Sequence, residues 1–216
     1  MASAIPPRPR RRGSSLRTHA VRFTFERRTL SNQFPPIPGV KVLGITGHAR
    51  HGKDSLALEI LRAAPGAERF AFSDGIAALL RAEGKMGAIR RPQMMQEIAY
   101  AIRQARPTAW LDVLYGAIAD RRPPVAVVSG VRFPDDARLI RGMGGTVVRV
   151  TRLNADGSRF TSGDRPADYP TETLIDDVEF DEEIRLGPGE FETLVFAAVD
   201  LAARVLNEKG GQRQWT

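Results

Sequence analysis

Nine consecutive residues, Gly47-His48-Ala49-Arg50-His51-Gly52-Lys53-Asp54-Ser55, have the types and spacing needed to hold a polyphosphate. Gly47 and Gly52 allow backbone angles and a close approach to phosphate that a Cβ would obstruct. Lys53 would set its ammonium against the outer phosphates, where charge builds up during phosphoryl transfer. The pattern is G-x-x-x-x-G-K-[ST] with one departure, because Asp54 stands at the hydroxyl position and Ser55 follows one step later. A carboxylate at that point can hold Mg²⁺ directly or through water.

Such a loop works only between a strand and a helix, and both are written into the chain. Val40 to Thr46 is an apolar run of strand length, and Leu56, Ala57, Ile60, Leu61 and Ala64 recur at helical spacing until Pro65-Gly66. Further strands are expected at Arg69 to Phe72, Val125 to Val128 and Thr146 to Val150. Helices are expected after Ile76, across 92 to 119, over Ala137 to Ile140, and from Phe191 to Val205. Alternating strands and helices imply an α/β fold with a parallel sheet, whose ligands gather at the carboxyl ends of the strands. Those ends hold the 47 to 55 loop, Ser73-Asp74, Ser129-Gly130-Val131-Arg132 and Thr151-Arg152. Arg132, just ahead of Phe133-Pro134-Asp135-Asp136, is placed to clamp a transferring phosphoryl group.

The net charge of +7 suggests nucleic acid until it is divided along the chain. Residues 1 to 38 hold eight arginines against Glu26 alone, which accounts for the whole excess and leaves the remainder balanced. That leader, with its Pro, Arg and Ser content, is expected to be disordered. It reads as a polyanion-binding arm, a transit peptide, or a neutral extension ahead of the true start. Three units follow: the basic leader 1 to 38, a domain 39 to 210 that carries the phosphate loop and starts at the Pro35-Pro36-Ile37-Pro38-Gly39 boundary, and a tail 211 to 216. The absence of cysteine excludes disulfides and thiolate metal sites, and no run approaches the roughly 18 apolar residues of a membrane span. The Met and Trp residues of 92 to 119 read as core.

Four ordered blocks carry a resemblance to the viral and bacterial deoxynucleoside monophosphate kinases: Gly47 to Ser55 with its Gly-Lys-Asp-Ser ending, Val131 to Asp136, Met143 to Arg152, and Asp168-Tyr169-Pro170-Thr171-Glu172-Thr173. A fifth, Arg91 to Ile98, resembles the family's Arg-x-x-Met-Gln helix less closely. Gly-Lys-Asp is the usual form in that family, so the resemblance also accounts for Asp54. It implies a P-loop NTPase three-layer fold with a helical acceptor region and a short lid. It also implies transfer of the ATP γ-phosphoryl to a (deoxy)nucleoside 5′-monophosphate, with Mg²⁺ on the donor phosphates. On that basis residues 47 to 55 and Arg152 bind the donor, Lys53 and Arg132 neutralise the transferring group, and Asp54 or Ser55 positions the metal. Asp74, Arg91, Arg103, Arg132 and Glu172 fall on the acceptor side, and Arg152 to Arg165 form the lid.

Three departures from the family pattern are Gly130 where many relatives have Asp, Tyr169 in place of His, and Ile184 to Gly189 without the Asn of a terminal signature. Two further readings stay open: a phosphomevalonate-kinase-like enzyme, which shares the Gly-Lys-Asp loop, and an inactive nucleotide-binding module whose leader binds nucleic acid. A cytoplasmic location is expected, host cytoplasm for a viral protein, and a homodimer is compatible with the sequence.

Overall fold

The computed structural model of the chain describes residues 33–163 and 170–207. Five strands form one sheet: β1 (Lys41–Thr46), β2 (Glu68–Ala71), β3 (Val125–Val131), β4 (Thr146–Arg152) and β5 (Glu182–Leu186). Their order is β2-β3-β1-β4-β5 and every neighbouring pair is parallel. The helices are α1 (Lys53–Ala63), α2 (Phe72–Ala82), α3 (Met86–Ile89), α4 (Pro92–Ala105), α5 (Ala109–Arg121), α6 (Pro134–Gly142), α7 (Pro170–Thr173) and α8 (Phe191–Asn207).

Helices cover both faces of the sheet, which is why β1 and β3 are apolar without interruption. Alternate residues of one strand serve opposite cores. Leu43, Ile45, Val125, Val127, Val148 and Val150 pack with Leu56, Ala57 and Ile60 of α1 and with Leu194, Ala198 and Leu201 of α8. On the other face Val42, Ala126, Val128 and Val147 meet Leu111, Leu114 and Ile118 of α5 and Leu139 and Ile140 of α6. Full burial of side chains such as Leu56, Ile60 and Ile140 contributes about 1.5–3 kcal/mol each. A third cluster joins Ile76 and Leu80 of α2 to Trp110, flanked by Ile89, Met95, Ile98 and Ile102, and forms a helical region beyond the end of β2.

The stretch 92 to 119 is two helices rather than one. Arg106 is extended (φ −142°, ψ 94°), as the residue before Pro107 must be, and the chain restarts at Ala109. Strand β5 has no counterpart among the strands expected from the sequence, and the degenerate Ile184 to Gly189 signature begins inside it. The packed region also starts before residue 39: Phe34 and Ile37 are 3% and 5% exposed within the α5–α6 core, and Tyr115 donates to the Pro35 carbonyl at 3.1 Å. Residues 1–32 of the leader and the 211–216 tail lie outside the described residues, as do Asp164, Arg165, Asp168 and Tyr169. No helix among the described residues is long and apolar enough to cross a membrane.

Candidate functional site

The loop between β1 and α1 has the backbone its glycines foretell. Gly47 has φ +140°, and a Cβ there would lie 2.4 Å from the Val150 carbonyl oxygen, so the loop rests directly on the end of β4. Arg50 (φ 64°) and Gly52 (φ 99°) are left-handed. Left-handed residues within a tight turn make the amide concavities that bind anions, and here the concavity opens at the N-terminus of an eleven-residue helix. Gly52 precedes Lys53, and the Leu56 N–H closes the first turn on its carbonyl at 2.9 Å. Lys53 is 7% exposed, with Nζ donating to the His48 carbonyl at 2.5 Å, which holds the ammonium across the loop.

A cavity of about 600 Å³ opens from this loop toward the helical region. Ala49, Arg50, Lys53, Asp54 and Arg132 line its loop end, while Phe72, Ile76, Ile89, Met95, Ala99 and Trp110 line the far end. Arg69, Gln96, Tyr100 and Arg103 also line it. Five cationic side chains face the cavity against the carboxylates of Asp54 and Asp136, which favours an anionic ligand with an apolar body. Ser55 is exposed and is not part of the lining.

Arg132 leaves the end of β3 and its Nη1 lies 3.3 Å from Glu172 Oε1. The other Glu172 oxygen accepts from the Ala49 N–H at 3.4 Å and lies 3.3 Å from His48 Nδ1. His48 Nε2 lies 2.9 Å from Asp176 Oδ1, which also accepts from Arg159 at 2.7 Å. Glu172 therefore docks α7 against the loop. The segment behind α7 is fixed by Arg149, which donates to the carbonyls of Ile175 (3.0 Å) and Val178 (2.8 Å) with its guanidinium over the Phe180 ring. Burial pushes the Arg149 pKa below the ordinary arginine value.

Asp136 was not among the residues expected to carry the site, yet it organises one wall. It is 1% exposed and accepts from Arg103 Nη2 at 2.7 Å and from the backbone N–H groups of Arg132 (3.0 Å) and Phe133 (3.1 Å). One carboxylate thus caps α6, fixes the turn that launches Arg132, and aims Arg103, whose guanidinium also stacks 4.1 Å above the Phe133 ring. Burial pushes the Asp136 carboxyl up, against the pull of Arg103 and the two amides.

His51 ties the loop to the segment that follows β4. It is 1% exposed, with Nε2 2.9 Å from the Phe160 carbonyl and Nδ1 3.2 Å from the Arg152 N–H. A neutral ring protonated on Nε2 satisfies both contacts, since Nδ1 then accepts from Arg152. Burial is the main reason its pKa falls below 6.5, with His48 and Lys53 adding to the effect. Arg152 lays its guanidinium 4.4 Å over the Phe160 ring, and Leu153 and Arg159 form an antiparallel bridge, so the described part of the 152 to 165 segment is a short hairpin.

The structure separates two of the expected acceptor-side residues from the cavity. Asp74 is mostly exposed, accepts from the Ala71 N–H at 3.0 Å and so caps α2. Arg91 is exposed at the N-cap of α4. Arg103 and Arg132 do line the cavity, and Glu172 reaches it through Arg132 and Ala49. Gly130, which stands where the resemblance leads one to expect an aspartate, has φ +80° with nothing within 4 Å of a Cβ. It marks an irregularity: Ile45 pairs with Ser129 but Thr46 pairs with Val131, so Gly130 is bulged out of the ladder. Among the described residues no group of three or more His, Asp or Glu side chains is placed to hold a metal ion. No protein-family model matches the chain, and no curated protein matches it.

Proposed function

We propose that the protein is an ATP-dependent phosphotransferase acting on a phosphorylated small molecule, of the deoxynucleoside monophosphate type. The observation that carries this reading is the single cavity joining Lys53, Asp54 and Arg132 at one end to Trp110, Ile76 and Met95 at the other. A donor polyphosphate suits the loop end, and a planar apolar body such as a nucleobase suits the far end. That apolar lining favours a nucleotide acceptor over a small polyhydroxy or carboxylic acid phosphate.

Positioning and charge neutralisation supply the catalysis in such a transfer. The loop amides and the α1 N-terminus would hold the donor phosphates, and Lys53 would exchange the His48 carbonyl for a phosphoryl oxygen. Arg132 and Arg103 would neutralise the acceptor phosphate and the group in flight, with Asp136 holding Arg103 in place. Glu172 sits where it competes for Arg132 and the Ala49 amide, so ligand binding is expected to loosen α7 from the loop. Asp54, exposed and facing the cavity, suits Mg²⁺, whose remaining ligands would be water and phosphate. The ion would offset negative charge on the donor.

The test is a panel of the four dNMPs and matching NMPs with ATP and Mg²⁺, read as ADP release. Lys53→Ala serves as the control and is expected to lower turnover at least about 100-fold with the fold intact. Turnover of phosphomevalonate and of no nucleotide would replace the acceptor, and no turnover with any acceptor would refute the reading.

A further inference from the structure

Among the described residues six polar or charged side chains are buried: Thr46, His51, Lys53, Ser129, Asp136 and Thr151. Five of them have partners. Thr46 donates to Val131, Thr151 to Glu183 and Lys53 to His48, while His51 and Asp136 are satisfied as described above. Ser129, 2% exposed, has no hydrogen-bond partner for its hydroxyl among the described residues. A buried hydroxyl without a partner is destabilising and calls for a physical reason.

Its position supplies one. Ser129 is the last regular residue of β3 before the Gly130 bulge, paired with Ile45 on one side and Ala71 on the other. Val125 and Val127 precede it in the same alternating row and pack on Leu56 and Ala57 of α1. The row therefore directs Ser129 toward the first turn of α1, and the residue lines the cavity together with Lys53 and Asp54.

We infer that Ser129 is a ligand-binding residue of the donor end, its hydroxyl meeting an oxygen of a bound metal–polyphosphate complex. Asp54 is the carboxylate of α1 that faces the cavity, and Ser129 adds a neutral oxygen opposite it, able to donate to a phosphoryl oxygen or to pair with a cation-bound water. This rests on the donor-site reading given above.

The experiment is calorimetric titration of wild type and Ser129→Ala with ATP, once with Mg²⁺ and once with chelator, beside thermal melts of the ligand-free proteins. Ser129→Ala is expected to melt at the same or a higher temperature and to bind the Mg²⁺ complex about tenfold more weakly. An equal loss in chelator supports direct contact with phosphate, and a loss confined to the Mg²⁺ arm supports contact through the cation's water. Unchanged binding in both arms, or a lower melting temperature of the ligand-free variant, would overturn the inference and leave the donor site standing. A wild type that binds no ATP would instead refute the donor-site reading and this inference with it.

Discussion

Replacing Asp136 by Ala tests the idea that one buried carboxylate builds a wall of the site. The substitution removes hydrogen bonds of 2.7, 3.0 and 3.1 Å and leaves the Arg103 side chain, only 11% exposed, without its counter-charge. Breaking a buried pair by deleting one partner costs about 3–5 kcal/mol, and the orphaned amides at the start of α6 belong to the same loss rather than adding fully to it. An overall cost of about 4 kcal/mol lowers the melting temperature by roughly 8–16 °C in a domain of this size. The double variant Arg103→Met, Asp136→Ala should recover part of that cost, because no guanidinium is then stranded. Urea denaturation of the two single variants and the double variant gives the coupling energy directly. A cost below about 1 kcal/mol for Asp136→Ala, or a double variant no better than the sum of the singles, would refute the reasoning.

Gly47→Ala and Gly130→Ala separate steric from torsional effects. The first drives a methyl into the Val150 carbonyl and is expected to cost well over about 2 kcal/mol and to abolish ATP binding, while the second meets open space and should cost only about 1 kcal/mol of left-handed strain. Denaturant midpoints and ATP titration check both. For His51, a pKa depressed below 6.5 means that the unfolded chain binds more protons than the fold between the two values. Stability should therefore be complete above about pH 6.5 and fall as pH drops through that window, and His51→Gln should flatten the profile measured by thermal melts from pH 5 to 7. Ala99→Phe would fill the apolar end of the cavity, and is expected to raise the acceptor KM at least about tenfold with ATP affinity unchanged, as steady-state kinetics would report.

Local chemistry made the front of the site readable. An apolar strand, two glycines, a lysine and a helical repeat are contiguous from Val40 to Ala64, so the motif is legible before any distant partner is known. The wall residues needed the tertiary fold: Asp136 in sequence is one of two adjacent aspartates, and only the approach of α4 brings Arg103 to it. In the sequence His51 is simply one residue of the 47 to 55 loop, and its structural role appears only where Phe160 and Arg152 close over it. Strand β5 escaped because Glu182–Leu186 is a half-exposed edge strand with three charged residues among its five rather than an apolar run. Asp74 carries the opposite lesson, since a carboxylate just past a strand end can also satisfy its own helix.

The strand order has a bearing on how the chain acquires its shape. β1 is made first among the strands yet sits at the centre of the sheet, between partners whose pairing joins Lys41 to Val125 and Leu43 to Thr146. Both contacts span more than about 80 residues, so an apolar strand must wait, unpaired, for the later chain to arrive, and such non-local closure makes folding slow. The Gly47 turn gains its support only when Val150 docks beside it. The proposed nucleotide affinity should accordingly be among the last properties to emerge during refolding, and a strand left exposed for that long is the part of the molecule a chaperone would be expected to shield.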